Sequence, residues 1–310
     1  MDVKTDSTYC LETQGLGKQY KNYKALSGLN LHVPRGAIYG LVGQNGAGKT
    51  TLLRLLCGLQ TPTMGTYTLY GIPHTSPAIH EVRKRMGAVV ETPALLPGMT
   101  ARENLEQQYR ILGIPSLAGM EELLTLVGLA DTGKKKVRAF SLGMRQRLGI
   151  ALALCGNPDL LLLDEPVNGL DPQGIIEIRE LILQLNRDRH ITVVISSHIL
   201  DELSRLATHY GFIHHGTMLK EITARELEAA CRKCVRLTVT STSALSRVCD
   251  GLGLDCEIIN DQQADLYGDV NITKLTLALA RENCEIRSFH EHDESLENYY
   301  MNLVGGDRHA

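Results

Sequence analysis

Aromatic residues and long apolar segments are both scarce in this chain of 310 residues. It contains no tryptophan and three phenylalanines, so its core must be built mainly from aliphatic side chains. No stretch approaches the ~18 uninterrupted apolar residues that span a bilayer. The segment from Met1 to Leu11 also lacks the apolar centre of a signal peptide. We therefore expect a soluble, cytoplasmic protein that takes any membrane role through a partner.

The chain also lacks a strong charge of either sign and a clustered set of cysteines. A formal net charge of −3 gives no electrostatic reason to expect nucleic acid as a partner. The eight cysteines are dispersed, and the close pair Cys231 and Cys234 has no second pair or histidine cluster at zinc spacing. Reduced cytosolic thiols explain them better than a metal or redox site. The length favours one large domain and a smaller one.

Short apolar runs alternate with helical patterns in the first two thirds of the chain. Residues Ala37 to Val42, Leu160 to Leu163 and Thr192 to Ser196 have the composition of buried strands. Thr51 to Leu59 and Gly174 to Asn186 place their aliphatic residues at helical spacing. Buried strands that alternate with helices predict an α/β fold with a mainly parallel sheet covered on both faces.

Two further regions have different patterns. From about Ala88 to Asn157 the chain is mainly helical, which predicts a helical subdomain at about 95–157 inserted in a first domain of residues 10–224. Residues 225–306 predict a small α+β accessory domain with the βαββαβ order of a ferredoxin-like unit. Its predicted elements, in chain order, are Val235 to Val239, Ala244 to Leu252, Cys256 to Ile259, Ala264 to Tyr267, Ile272 to Ala280 and Glu285 to Phe289.

A glycine-rich loop follows the first buried strand and precedes a helix. It satisfies G-x-x-x-x-G-K-[ST] with Gly43, Gln44, Asn45, Gly46, Ala47, Gly48, Lys49 and Thr50. Glycines let the backbone N–H groups turn towards phosphates, and the helix N-terminus adds about half a positive charge. Lys49 supplies a cation for the β- and γ-phosphates of ATP, and the Thr50 hydroxyl can ligate Mg²⁺. We predict that the loop and Thr51, directly after it, bind the nucleotide.

Three polar residues follow the next two buried strands. Asp164 ends the strand of leucines and is predicted to ligate the metal, as the acidic partner of a phosphate-binding loop does. Glu165 comes one residue later, where its carboxylate can polarise an attacking water. His198 follows the third strand and can contact the γ-phosphate or the water, because strand ends on one side of a parallel sheet converge on the ligand crevice. The sequence thus predicts Glu165 and His198 as catalytic residues.

The octapeptide Phe140-Ser141-Leu142-Gly143-Met144-Arg145-Gln146-Arg147 carries the most specific resemblance. It is similar to the signature motif of ABC transporter ATP-binding subunits, which is usually L-S-G-G-Q followed by a basic residue, Gln and Arg. Ser141, Gly143, Gln146 and Arg147 match this motif, and Leu142 and Met144 depart from it. Over residues 10 to about 224 the chain resembles these subunits, a P-loop NTPase fold.

The resemblance extends to three further positions. Gly169-Leu170-Asp171 resembles the family's D-loop, and His198 resembles its switch histidine. Tyr20 is similar to the aromatic residue that stacks on adenine, with Tyr23 as the alternative. Tyr20 is the residue that we predict to contact adenine.

The resemblance implies a composite site between two ATP-binding domains. Each ATP would lie between the phosphate-binding loop of one domain and the signature of the other, where Ser141 and the backbone of Gly143 contact the γ-phosphate. Because each motif occurs once here, the second domain must come from another chain, in a homodimer or with a second ATP-binding subunit. Integral membrane permease subunits would hold the pair at the inner face of the cell membrane.

Glu91 departs from the family pattern. After the strand Met86 to Val90, most members have a glutamine that contacts Mg²⁺ and the attacking water. The Glu91 carboxylate can still approach the metal, although it cannot donate an amide hydrogen bond. A glutamate here, the S-L-G-M signature and the C-terminal extension resemble the branch of bacitracin-resistance and lantibiotic self-protection transporters. Neutral drift at a tolerant loop is the alternative explanation for Glu91.

The function that this resemblance implies is that of an ATP-hydrolysing subunit of an exporter or resistance transporter for peptide antibiotics. Export of another cargo, such as a lipid or a drug, is one alternative. A soluble ABC protein acting on ribosomes or DNA is another, although such proteins usually carry two cassettes or a long coiled-coil insertion. The C-terminal domain could sense a ligand, stabilise a dimer or serve as a packing accessory.

Overall fold

The computed structural model describes residues 8–231, 234–268, 270–292 and 296–306. The chain divides into two compact units, Met1–Ala224 and Arg225–Ala310. Among the described residues, no helix combines the length and the apolar character needed to cross a membrane.

The strands of the first unit fall into two sheets. They are β1 (Tyr9–Tyr20), β2 (Tyr23–Pro34), β3 (Ile38–Val42), β4 (Met64–Leu69), β5 (Ile72–Pro73), β6 (Met86–Val89), β7 (Leu160–Asp164), β8 (Thr192–Ser197), β9 (His209–His214) and β10 (Thr217–Thr223). An antiparallel sheet has the order β2-β1-β4-β5, and a six-stranded sheet has the order β10-β9-β3-β8-β7-β6. In the larger sheet every neighbouring pair is parallel except β9 and β10. The predicted mainly parallel sheet is therefore confirmed.

Over residues 8–231, seven α-helices precede the C-terminal unit and an eighth begins at its boundary. They are α1 (Lys49–Leu56), α2 (Ile79–Arg83), α3 (Ala101–Ile111), α4 (Met120–Leu126), α5 (Leu142–Leu154), α6 (Pro172–Arg189), α7 (Leu200–Ser204) and α8 (Ala224–Ala230). α3 begins with a capping box in which Thr100 and Glu103 satisfy each other's backbone N–H groups. α3, α4 and α5 lie in the region where the sequence pattern predicts helices.

The main core of the first unit lies between its two sheets and includes one face of α1. Every residue of β3, β7 and β8 is buried, as continuous aliphatic runs in a parallel sheet require. Leucines from the antiparallel sheet and from α1 join this core, which includes Leu11, Leu29, Leu31, Leu41, Leu52, Leu53, Leu56, Leu160, Leu162 and Val194. Burial of α1 on this side holds the loop that precedes it at the carboxyl edge of the central sheet.

The second unit is a small α+β fold. Its elements are β11 (Cys234–Val239), α9 (Thr242–Leu252), β12 (Asp255–Asn260), β13 (Gln263–Tyr267), α10 (Ile272–Arg281), β14 (Ile286–His292) and α11 (Leu296–Gly306). The four strands form an antiparallel sheet of order β12-β13-β11-β14. Leu237, Leu266, Leu245 and Leu275 bring this sheet, α9 and α10 into one core. The element order is the predicted βαββαβ, followed by a helix that the sequence pattern did not indicate.

Candidate functional site

The glycine-rich loop joins β3 to α1 and is shaped by backbone conformations that favour glycine. Gly46 has a φ of 83° and Gly48 has a φ of 108°. A Cβ on Gly48 would lie 2.7 Å from the carbonyl oxygen of Ala25, so no other residue fits there without a shift of the backbone. The loop is closed by a hydrogen bond from the Ala47 N–H to the Gln44 carbonyl, with a donor–acceptor distance of 3.1 Å.

Lys49 is the buried cation of this site. Its relative exposure is 5%, and its ammonium donates to the carbonyls of Gly43 and Gln44 at 2.6 and 3.3 Å. The third close group is the Glu165 carboxylate, whose Oε1 lies 3.1 Å from Nζ. Lys49 is therefore held at the mouth of the loop by two carbonyls and one carboxylate, where phosphate oxygens can compete for its N–H donors.

Glu165 is the centre of a three-residue chain. While Oε1 faces Lys49, Oε2 lies 2.7 Å from Nδ1 of His198. The Glu165 backbone has a φ of 48°, a conformation in which side chains other than glycine are uncommon. Its N–H donates to the carbonyl and hydroxyl oxygens of Ser196 at 3.2 and 2.9 Å. The structure thus brings the two predicted catalytic residues, Glu165 and His198, into direct contact beside Lys49.

Asp164 is fixed by its neighbour on β8. The residue is 3% exposed, and its Oδ1 accepts a hydrogen bond of 2.6 Å from the Ser196 hydroxyl. The parallel register pairs Asp164 with Ser196 and Val42 with Ser197. All three strands consequently end at one edge of the sheet, where the glycine-rich loop begins.

A cavity of about 210 Å³ lies against this edge. Its lining includes most of the predicted nucleotide contacts and two residues that sequence analysis did not assign, Ala25 and Asn168. The full lining is Tyr23, Ala25, Asn45, Gly46, Ala47, Gly48, Lys49, Thr50, Thr51, Glu165 and Asn168. Gly43 and Gln44 lie behind the lining and contribute their carbonyls to Lys49.

The two candidate adenine-stacking tyrosines pair across the turn between β1 and β2. Tyr23 lines the cavity, and its hydroxyl is 3.4 Å from the Gly46 carbonyl oxygen. Tyr20 does not line it, since its hydroxyl donates to Gln60 and the Lys18 ammonium lies 5.2 Å from its ring centroid. The geometry therefore favours Tyr23 over the predicted Tyr20 for contact with a ligand at the loop.

Glu91 is placed outside the phosphate cavity. Its carboxylate, which is 55% exposed, forms an ion pair with the guanidinium of Arg54 on α1. The hydrogen bond from Arg54 lowers the pKa of Glu91. A contact between Glu91 and a metal at Asp164 would require its release from Arg54.

The signature residues lie at the start of α5. Ser141 is the N-cap residue, and its hydroxyl accepts a hydrogen bond of 3.2 Å from the Met144 N–H. A Cβ on Gly143 would come no closer than 3.9 Å to other groups, so the first turn of α5 is open there. Ser141 and Gly143 do not line the cavity at Lys49.

Ser196 is the functional residue that sequence analysis passed over. It is fully buried and touches both acidic residues of the site, as a donor to Asp164 and an acceptor from the Glu165 N–H. The available signal was a pair of serines at the end of an aliphatic strand, where a buried hydroxyl needs a partner. Asn168 carried a weaker signal, its position three residues after Glu165.

The oxygen donors of the site fit a magnesium ion held together with a nucleotide. Asp164 and Thr50 offer hard oxygen ligands, the type that Mg²⁺ requires. Within the described ranges, no group of three or more His, Cys, Asp and Glu residues could hold a metal alone. In nucleotide sites Mg²⁺ is usually bound through one or two carboxylates together with phosphate oxygens and water.

Comparison with known proteins identifies the family. The family described as ABC transporter matches residues 26–168. The chain is 40% identical to the bacitracin transport ATP-binding protein BcrA of Bacillus licheniformis, over 96% of this chain and 97% of that protein. It is 41% identical to the lantibiotic transport ATP-binding protein SrtF of Streptococcus pyogenes, over 68% of this chain and 90% of that protein.

A solved structure supports the same assignment. The ATP-binding cassette MJ0796, in a dimeric post-hydrolysis state bound to ADP and Pi, matches with a TM-score of 0.62 and 27% identity, over 69% of this chain and 99% of that one. Cassettes of this kind work as dimers with membrane permease partners. The chain belongs to the ABC transporter family as an ATP-binding subunit that hydrolyses ATP.

Proposed function

We propose that this subunit powers the export of a peptide antibiotic, of the bacitracin or lantibiotic type, by a resistance transporter. Similarity to a bacitracin transport protein over 96% of the chain, which includes the C-terminal unit, is the observation that carries this proposal. The glutamate at position 91 supports it. The subunit would bind permease subunits at the inner face of the cell membrane, and lipid or drug export is the competing cargo assignment.

We propose that hydrolysis depends on the Lys49–Glu165–His198 chain. Phosphate oxygens of ATP would displace Glu165 from Lys49, because the γ-phosphate needs the same N–H donors. The freed Glu165 carboxylate would then accept a proton from the attacking water as general base. His198, 2.7 Å from Glu165, would hold the carboxylate in place and reach the γ-phosphate.

We propose Thr50 and Asp164 as the magnesium ligands, with Glu91 as a third candidate. The ion would neutralise charge that develops on the β- and γ-phosphates. Ser196 orients Asp164 through its hydroxyl, so the carboxylate is placed before the nucleotide arrives. The Ser196→Ala variant should therefore raise the Mg²⁺ concentration at which ATPase activity is half-maximal, measured by titration with MgCl₂.

Two copies of the chain would complete two sites. Ser141 and Gly143 lie outside the cavity of their own protomer, which supports their contact with ATP across a dimer interface. With one phosphate-binding loop and one signature per chain, a homodimer supplies both halves. Sedimentation of the Glu165→Gln chain should show a dimer with ATP and a monomer without it, and Ser141→Arg should remain monomeric.

Adenine would stack on Tyr23. This tyrosine is 59% exposed and lines the cavity. Stacking of a base on an aromatic ring contributes about 1–3 kcal/mol, so Tyr23→Ala should weaken ATP binding by roughly 5- to 150-fold. Tyr20→Ala is the matched control and should change the affinity less, as measured by equilibrium dialysis.

The cargo is tested in the source cell. Deletion of the gene should lower the inhibitory concentrations of bacitracin or a lantibiotic, and the wild-type gene should restore them. Glu165→Gln should not restore them. Glu106→Gln, on the exposed face of α3, is the control and should restore them fully.

Two results separate the cargo from the ATPase. Sensitivity of the deletion strain to an apolar drug alone would replace the peptide cargo with a drug. Full resistance with the Glu165→Gln gene would refute the proposed role of ATP hydrolysis in resistance.

A further inference from the structure

An ion pair between Arg54 and Glu91 connects α1 to the loop after β6. Glu91 begins this loop with a φ of 64°, in the left-handed region that a glutamate rarely adopts. The Arg54 guanidinium donates to its carboxylate across 37 residues of chain. Arg54 thus helps to hold Glu91 in a conformation that the backbone alone does not favour.

Arg54 also lies beside the nucleotide site. It follows Thr50 by four residues on α1, so the two side chains share a face of the helix one turn apart. Thr50 lines the phosphate cavity. The hydrogen bond to Glu91 raises the pKa of Arg54, and the charges of Glu91, Tyr20 and Asp164 add to this effect. Arg54 thus connects the face of α1 that carries Thr50 to Glu91.

The other side of the same elements borders a large groove. This groove of about 850 Å³ is lined by Val90, Thr92 and Pro93 from the loop and by Cys57 and Leu59 from the end of α1. The ion pair therefore joins two elements that each contribute to the groove. A shift of α1 would therefore be passed to the loop side of the groove through this ion pair.

We propose that Arg54 is a positioning residue that holds Glu91 and transmits nucleotide binding from α1 to the loop at residues 90–97. Arg54 need not touch the nucleotide in this role, because it acts through Glu91. The inference rests on the proposed function only in one respect, the role of this loop in coupling ATP binding to transport. The effect on the loop without nucleotide is independent of any cargo.

The ion pair is expected to have a moderate effect. The side chains of Arg54 and Glu91 are 33% and 55% exposed, and pairs of this exposure contribute little to stability. Hydrogen exchange of the loop should therefore change by about two- to five-fold when the pair is lost. The amides of Leu95 and Leu96 report this change, because they donate to the Pro93 carbonyl at 2.9 Å and to the Asn104 side chain at 2.8 Å.

The first test measures deuterium uptake of the peptide that covers residues 90–97, without nucleotide and at second timescales. Arg54→Ala and Glu91→Gln should each raise deuterium uptake. Uptake by the double variant should not exceed that of either single variant, because both substitutions remove the same interaction. Arg54→Lys should retain part of the protection, because lysine keeps the positive charge but lacks the planar set of guanidinium N–H donors. Arg110→Ala, which removes an exposed ion pair on α3, is the control and should leave the loop unchanged.

The second test adds ATP to chains that carry Glu165→Gln. Uptake in the loop should respond to ATP when Arg54 is present, and this response should fall at least two-fold in Arg54→Ala while the affinity for ATP stays within about three-fold. Additive effects in the first test, or an unchanged ATP response in the second, would overturn the inference. A failure of the cargo proposal would leave both readouts unaffected, so the two failures are distinguishable.

Discussion

Replacement of Glu165 by glutamine should separate ATP binding from ATP hydrolysis. The glutamine keeps the shape of the side chain and removes its charge and its capacity to accept a proton. Loss of a general base lowers the rate by about 10²- to 10⁴-fold. We expect the rate of phosphate release from Glu165→Gln to fall by this factor.

The same variant should bind ATP more tightly. At 3.1 Å and an effective dielectric constant of about 20, the gross attraction between Lys49 and Glu165 is about 5 kcal/mol. The side chains are only 6% and 20% exposed, so the desolvation of both ions offsets most of this attraction. If about 1 kcal/mol of net attraction opposes the entry of phosphate, its removal raises the affinity for ATP by roughly five-fold.

Two assays check these values. Phosphate release is measured at saturating ATP, and the dissociation constant is measured by equilibrium dialysis with ATP at 4 °C. Glu106→Gln serves as the control, because this residue lies on α3 in an exposed ion pair. Hydrolysis by Glu165→Gln within three-fold of the wild-type rate would refute the role of Glu165 as general base. A weaker affinity for ATP would refute the competition for Lys49.

Three other predictions concern the loop, a helix cap and the thiols. Gly48→Ala should abolish ATP binding and lower the free energy of unfolding by about 1–3 kcal/mol through backbone strain; wild-type affinity in dialysis would contradict this. Thr100→Ala should cost about 1 kcal/mol in urea denaturation by loss of the α3 cap, whereas Thr100→Ser, the control, should cost little. Burial raises the pKa of Cys57 and Cys155 to about 12, so at pH 8 both stay protonated and should resist iodoacetamide until urea unfolds the chain; rapid native labelling in mass spectrometry would contradict this.

The buried strands and helices of the first unit could be predicted because their amino-acid composition and spacing reflect burial in the fold. β3, β7 and β8 are uninterrupted aliphatic runs, and only a strand covered on both faces needs such composition. The antiparallel strands β1 and β2 were not predicted, although each has 12 residues. Their pairing shifts register at four points, which interrupts the alternation by which half-buried strands are recognised.

The residues of the candidate site also divide into those that the sequence predicted and those that it did not. Lys49, Asp164 and Glu165 could be assigned because each stands next to a recognisable strand or loop. The prediction of Tyr20 over Tyr23 had no support from local pattern, since both flank one turn and their side chains face different neighbours only after folding. The partner of Glu91 was equally hidden, because an ion pair over 37 residues leaves no local pattern.

By itself, the sequence determined the phosphate-binding loop, the positions of the buried strands along the chain and the family resemblance. These features depend on the composition and spacing of residues that are close together in the sequence. Only the tertiary structure decided that Glu165 bridges Lys49 and His198, that Ser196 holds Asp164, and that Arg54 holds Glu91. Such contacts depend on which strand ends and helix faces are adjacent in space. Sheet order and core packing decide this, and both are properties of the whole folded unit.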